Sequence, residues 1–170
     1  NDYNIPSIVD DCGNSFADLG STATIVVNTR PDLTDGSTTL CSDEVSNVTL
    51  GIDNGGAFGI SGVSYNINSI TDNGLTASAG SPATGTGFLS AEISDDAWTN
   101  TTGAPVNVVY NITPVSTEGC AGTAEDITFT IDPEPVGSDD TDDLCSGGTL
   151  NYNLQGNTNG NNGVTSEFTY

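Results

Sequence analysis

The sequence predicts an all-β protein made of antiparallel β-sandwich repeats in tandem. Three observations carry that reading. Apolar and polar residues alternate in short runs, turn-forming residues separate the runs, and the chain matches itself at an offset near 104 residues.

In chain order, the alternating runs are Val48, Leu50 and Ile52; then Val63, Tyr65 and Ile67; then Val106, Val108, Tyr110 and Ile112; then Ile127, Phe129 and Ile131. A period of two puts every second side chain on one face, the pattern of strands that bury a single side. Between the runs lie Asp53-Asn54-Gly55-Gly56 and Asp72-Asn73-Gly74. Asn and Gly tolerate the positive φ of tight turns, which is reason enough for them there. No stretch shows a helical period, so no helix is expected. Trp98 is the largest side chain available to anchor a two-sheet core.

The self-match sets the organisation. Thr24-Ile25-Val26-Val27, Arg30-Pro31 and Leu40-Cys41-Ser42 recur as Thr128-Phe129-Thr130-Ile131, Glu134-Pro135 and Leu144-Cys145-Ser146. Leu50, Gly56, Gly59 and Ile60 then match Leu154, Gly160, Gly163 and Val164 without a gap. Upstream, Tyr3-Asn4-Ile5 matches Tyr110-Asn111-Ile112 and Cys12 matches Cys120 at slightly larger offsets, implying a short insertion around residues 14–20. A period of this size is one sandwich domain and too long for a solenoid repeat. Residues 1–33 therefore read as the last strands of one repeat, 34–136 as a complete repeat and 137–170 as the first strands of the next. The joints at residues 30–36 and 132–137 carry Pro and Gly, which end strands and stiffen short linkers.

Composition excludes most other functions. The 170 residues include 23 Asp and Glu against a single Lys or Arg, with no His, for a formal charge of -22. General acid–base and nucleophilic catalysis near neutral pH draw mainly on His, Lys or an activated thiolate, so the chain is not expected to be an enzyme, and no cofactor is implied. Binding nucleic acid needs a basic face that one Arg cannot supply. Anionic membranes would repel the chain, and its longest aliphatic run, Ile25, Val26 and Val27, is far too short to span a bilayer. The remaining partners are cations, glycans, neighbouring repeats and copies of the chain itself. Four cysteines without histidine read as disulfide partners in an oxidising, extracellular compartment. The first residues read as strand, so an export signal is expected upstream of them.

The ordered set Leu40-Cys41-Ser42, Trp98-Thr99-Asn100-Thr101-Thr102-Gly103-Ala104-Pro105-Val106, Val109-Tyr110-Asn111-Ile112-Thr113-Pro114 and Glu118-Gly119-Cys120-Ala121-Gly122, closed by Ile127, Ile131, Pro133 and Pro135, resembles the PKD-like repeats of giant cell-surface adhesins of the Bacteroidota. The resemblance implies an immunoglobulin-like sandwich, secretion to the cell surface, and a role in adhesion, gliding or filament building. It carries no catalytic residues. Cys145-Ser146-Gly147 stands as Cys41-Ser42-Asp43 in the complete repeat, a departure at that turn.

The expected function is a stiff extracellular tether. A carbohydrate-binding module, with aromatics exposed in a row, is one alternative. A filament subunit completed by strand addition from neighbouring copies is another. If Cys41 sits before the first strand and Cys120 before the last, both lie where the chain enters the sandwich. That favours a Cys41–Cys120 bond, with Cys12 and Cys145 belonging to neighbouring repeats. The rival scheme joins Cys12 to Cys41 and Cys120 to Cys145. Asp139, Asp140, Asp142 and Asp143 supply hard oxygen ligands that suit calcium, against the plainer reading of a solvated acidic linker. Asn47, Asn100 and Asn111 open Asn-x-Thr triplets that arise readily by chance in a chain rich in both residues.

The only tryptic site is Arg30, and Pro31 follows it. The reduced, denatured chain is therefore expected to stay intact through overnight trypsin treatment, with a single band on a gel; internal cleavage would contradict it.

Overall fold

Strong β-formers at every second position dictate the longest strands, and the computed structural model places them at the centre of the molecule. It describes residues 2–4, 7–9, 12, 15–17, 22–24, 26–53, 60 and 63–169. The turn expected at 54–56, the matched Gly59 and most of the insertion expected at 14–20 lie outside the described residues.

Strand β10 (Val106–Val115) pairs antiparallel with β11 (Glu125–Asp132) on one side and with β6 (Ser64–Thr71) on the other. Beyond β6 lies β8 (Gly85–Phe88), and beyond β11 lies β5 (Thr38–Cys41), giving the sheet order β5-β11-β10-β6-β8. The inward residues are those the alternation names: Tyr65, Ile67, Val108, Tyr110, Ile112, Ile127, Phe129 and Ile131 are all buried. Tyr110 and Phe129 pack with ring centroids 5.2 Å apart at 53°, a tilted geometry that suits the ring quadrupoles.

The opposite layer is built on β7 (Thr76–Ala79) paired with β9 (Ala97–Thr99). Residues 43–50 run antiparallel to residues 90–98 through four backbone bonds, from the N–H groups of Asp43, Ser46, Asn47 and Leu50 to the carbonyls of Trp98, Asp96, Ser94 and Ser90. Leu50, Leu75, Ile93 and Trp98 close the core from this side.

Four expectations change. The sheet is mixed rather than antiparallel, because β5 runs parallel to β11 with Phe129 opposite Thr38 and Asp132 opposite Cys41. Cys41 therefore ends the first strand of the complete repeat instead of preceding it. The run Val48, Leu50 and Ile52 forms no regular strand. Leu50 is buried, yet only Ile52 makes a bridge, to Leu33. Last, a helix, α1 (Leu154–Asn161), forms in a sequence without helical period. Local side-chain bonds explain it: the Asn153 side chain caps its start by accepting from the Gln155 N–H, while the Gln155 side chain donates to the Val164 carbonyl and accepts from the Ser166 N–H.

Upstream, β1 (Asp2–Asn4) pairs with β4 (Thr22–Thr24), and β2 (Ser7–Val9) with β3 (Ser15–Ala17).

Phe129 fills the centre of the sandwich, so Phe129→Ala is expected to cost about 3–5 kcal/mol. Thr128→Ala, one position along on the outer face, should stay within about 0.5 kcal/mol. Urea titrations of both variants check this, with a shifted midpoint at unchanged slope for the first.

Candidate functional site: the buried polar seam and the two ends

The inward face of β10 carries one polar atom into the core, the Tyr110 hydroxyl, and it needs partners there because an unpaired buried hydroxyl is costly. It donates to Asp96 Oδ2 at 2.7 Å and accepts from Trp98 Nε1 at 3.2 Å. Asp96 is only 2% exposed. Burial pushes its carboxyl above the ordinary range, with the Tyr110 hydrogen bond working against that and the nearby Asp95 and Glu92 charges adding to it. Burial likewise pushes the Tyr110 phenol far up, and its bond to Asp96 reinforces the shift. Gly80 is required beside this seam: a Cβ there would meet Asp96 Oδ1 at 2.1 Å and Asp96 Cα at 2.8 Å.

A second buried polar node holds the end from which the chain leaves the sandwich. Asn100 is 0% exposed, and its Nδ2 donates to the Ile131 carbonyl at 2.7 Å and to the Ala104 carbonyl at 3.0 Å. Its Oδ1 accepts from Thr102 N–H and Oγ1, and its backbone carbonyl accepts from Glu134 N–H at 3.0 Å. The triplet at Asn100 is thus an internal clamp and cannot present its amide for glycosylation. Asn111 donates its amide to Asp126, and Asn47 sits exposed at φ 53°.

Asn162 extends this clamp across the joint. Its Nδ2 donates to the Glu134 carbonyl at 2.7 Å and the Thr102 carbonyl at 3.2 Å, and its Oδ1 accepts from the Val136 and Val164 N–H groups. Sequence reasoning passes over Asn162, because nothing marks one Asn in an Asn-rich segment as a bridge.

The cysteines fall at two different ends. Cys41 lies opposite Asp132, at the outgoing end of β11, and Ser42 N–H bonds the Asp132 carbonyl. Cys120 closes the turn between β10 and β11, at the incoming end, where a Cβ on Gly122 would touch the Pro31 carbonyl at 2.1 Å. Glu125 and Asp132 are the first and last residues of β11, so roughly 23 Å of strand separates the two ends. A disulfide needs Cα atoms within about 7 Å. The structure thus corrects the expected Cys41–Cys120 bond: parallel pairing of β5 with β11 carries Cys41 to the far end. Among the described residues no disulfide joins Cys41, Cys120 or Cys145.

The expected calcium ligands do not converge. Asp140 accepts from Tyr152 Oη at 2.7 Å and from Thr141 N–H at 2.8 Å, and the Tyr152 bond, the larger influence, holds its carboxyl below the ordinary range. Asp139, Asp142 and Asp143 are exposed, and among the described residues no three ligand side chains are grouped to hold a metal ion. An open cleft of about 430 Å³ lies between Gly80, Leu89, Glu92 and Asp95. The aromatics that a glycan platform would need, Trp98, Tyr65 and Tyr110, are all buried.

The fold and the ordered motifs meet in one comparison. The family model of the PKD-like domain matches residues 38–135, more than half of the chain. The chain belongs to the PKD-like domain family. PKD-like domains are β-sandwich modules, generally without catalytic activity and typically extracellular. No curated protein and no solved structure matches the chain. No helix among the described residues of this PKD-like protein is long and apolar enough to cross a membrane.

The raised carboxyl of Asp96 gives the PKD-like module a definite pH dependence. A folded pKa above the unfolded value means the native state holds the proton more tightly, so this group's contribution to stability falls as pH rises from about 4 through its folded pKa. Asp96→Asn keeps an acceptor for Tyr110 and removes the titration. Melting temperatures across this range are expected to show the variant gaining on the parent as pH rises, with the gap closing below pH 4. A gap that stays constant would contradict the assignment.

Proposed function

We propose that this chain is a structural segment of a long secreted surface adhesin, in which PKD-like modules follow one another as a stiff extracellular tether whose neighbours along the string are its main partners. Adhesion to other surfaces, surface glycans included, is the task of the assembled string.

The observation that carries this reading is that two of the matched segments have matched local geometry. Tyr3 lies opposite Ala23 in the β1–β4 register just as its match Tyr110 lies opposite Ile127 in the β10–β11 register, and Ala23 and Ile127 directly precede the matched Thr24 and Thr128. The Cys41 and Cys145 turns agree as well. Glu44 N–H bonds the Cys41 carbonyl at 3.1 Å and Gly148 N–H bonds the Cys145 carbonyl at 2.9 Å, with φ 64° at Asp43 and 83° at Gly147. Asp43 accepts the strained conformation that glycine takes freely, so the departure noted in the sequence leaves the turn unchanged. These parallels support one sandwich before residue 33 and another after residue 136.

Charge alone would not make such a string stiff. At physiological salt, repulsion between exposed carboxylates is screened beyond about 8 Å. The clamp of Asn100 and Asn162 on residues 131–136 supplies the short-range rigidity that screening leaves out. Burial of Trp98, Tyr65 and Tyr110 disfavours the carbohydrate-binding alternative. The absence of His and the single basic residue support a non-catalytic role.

The test is to lengthen the chain in register. Residues 68–170 are appended after Tyr170, one residue short of the 104 offset, so that the alternating aromatics Phe168 and Tyr170 stand where the inward residues Tyr65 and Ile67 stand. The added residues are expected to complete a second sandwich, seen as doubled strand signal in circular dichroism and an elongated rod in small-angle scattering. Asn162→Ala should broaden the interdomain distance distribution of that rod without lowering the melting temperature of the central module. Added residues that stay unfolded would sink the tandem reading.

A further inference from the structure

The opposite placement of Cys41 and Cys120 has a partner-finding logic once modules follow one another. Cys41 is exposed at the outgoing end, next to the joint held by Asn100 and Asn162. Cys120 is half-exposed at the incoming end, in a turn packed against Pro31 of the preceding joint. Each module thus presents one thiol forward and one backward, and neither can reach the other across the roughly 23 Å of β11.

Resting on the tandem reading above, we propose that Cys41 forms a disulfide with the Cys120 equivalent of the next module, and Cys120 with the Cys41 equivalent of the preceding one. Two S–H bonds break and one S–S bond forms. The two electrons and two protons pass to an external disulfide oxidant, which leaves as two thiols. Cys145 takes the role of Cys41 one module along.

The cross-link changes how force travels. From Cys120 the backbone runs along β11, through the joint, to Cys145, which is 25 residues. Cys145 would then connect by its disulfide to the module after that, so 25 residues span two modules. Fully extended they reach about 88 Å. The ten residues of β10 set a module length of at least about 34 Å, so two modules occupy at least ~68 Å when folded. Little slack remains. The load passes through β11 and the β5-like segment of the next module, and unfolding the remainder of either sandwich adds almost nothing to the length.

The lengthened chain described above, oxidised with glutathione disulfide, contains one complete forward–backward pair: Cys41 and the second copy of Cys120. Single-molecule pulling is expected to show the oxidised chain shorter than the reduced chain by ~640 Å of contour, the length of the residues enclosed. Cys120→Ser in the second copy should abolish that difference, and Cys120→Ser in the first copy should leave it. A difference of ~280 Å, which a bond within one module would give, overturns the proposal, as does equal length in both states. If the second sandwich folds but Cys41 stays a thiol, the cross-link alone fails. If the added residues do not fold, the tandem reading fails and the cross-link with it.

Discussion

Strand β5 lies beside β11 in parallel, Thr38 opposite Phe129 and Cys41 opposite Asp132, and much of the module's external geometry follows from that pairing. Parallel neighbours must run in the same direction, so the first strand of the module carries the chain from the incoming to the outgoing end before the sandwich is built. The antiparallel partner of β11 is β10, which returns the chain to the incoming end at Cys120. The two ends of the module are thereby given different chemistry by topology alone. A purely antiparallel meander would have brought Cys41 back toward Cys120 and made the module a closed unit.

The second constraint is the polar seam in the core. Tyr110 adds its hydroxyl to the otherwise apolar inward face of β10, and Asp96 and Trp98 on the opposite layer satisfy it. A buried carboxylate is expensive, and replacing such a group by well-packed apolar residues is often neutral or stabilising. What the seam adds is register. Asp96 and Trp98 belong to a layer whose only regular ladder among the described residues is the short β7–β9 pair, and slippage of β9 by one residue would exchange Trp98 for Ala97 or Thr99. One bonded triad across the layers fixes which residues of 90–98 face in, and the backbone bonds of residues 43–50 are then placed on that template. Gly80, whose lack of a side chain admits Asp96, belongs to the same requirement.

Period-two alternation made β6, β10 and β11 legible, because each buries one face and each has room for the pattern to repeat. It failed where strands are short or have no apolar face. Strand β7 is Thr-Ala-Ser-Ala with every residue exposed, and β8 is Gly-Thr-Gly-Phe; neither offers two successive apolar positions. The run at Val48, Leu50 and Ile52 alternates well yet forms no ladder, since residues 90–98 opposite it are largely turns that offer only scattered carbonyls. The error over Cys41 had a similar cause. Thr38-Thr39-Leu40-Cys41 contains a single buried residue, Leu40, so nothing in the sequence marks it as a strand, still less as a parallel one. Asn100 and Asn162 were illegible for a different reason: a clamp is defined by which carbonyls surround an amide, and that is fixed only by the fold. The self-match at an offset near 104 is of another kind, a property of the sequence compared with itself.

The strong acidity takes on meaning when set beside the joints. Most carboxylates among the described residues are exposed, and the shifts at Asp35, Asp43 and Asp140 are downward, each caused first by a hydrogen bond from a hydroxyl group. These groups stay ionised through any ordinary pH, so the surface repels other copies of the chain and discourages lateral association. End-to-end contact is a different matter. At the joint the groups that meet are amides, carbonyls and backbone N–H donors, with Asn162 bridging Thr102, Glu134 and Val136 and no charge in the bridge. A neutral hydrogen-bonded joint is insensitive to the field of the surface around it and to the salt that screens that field. The molecule thus separates two tasks that charge would otherwise confuse: exposed carboxylates repel other copies of the chain, while the uncharged amides of Asn100 and Asn162 hold residues 102–104 and 131–136 together.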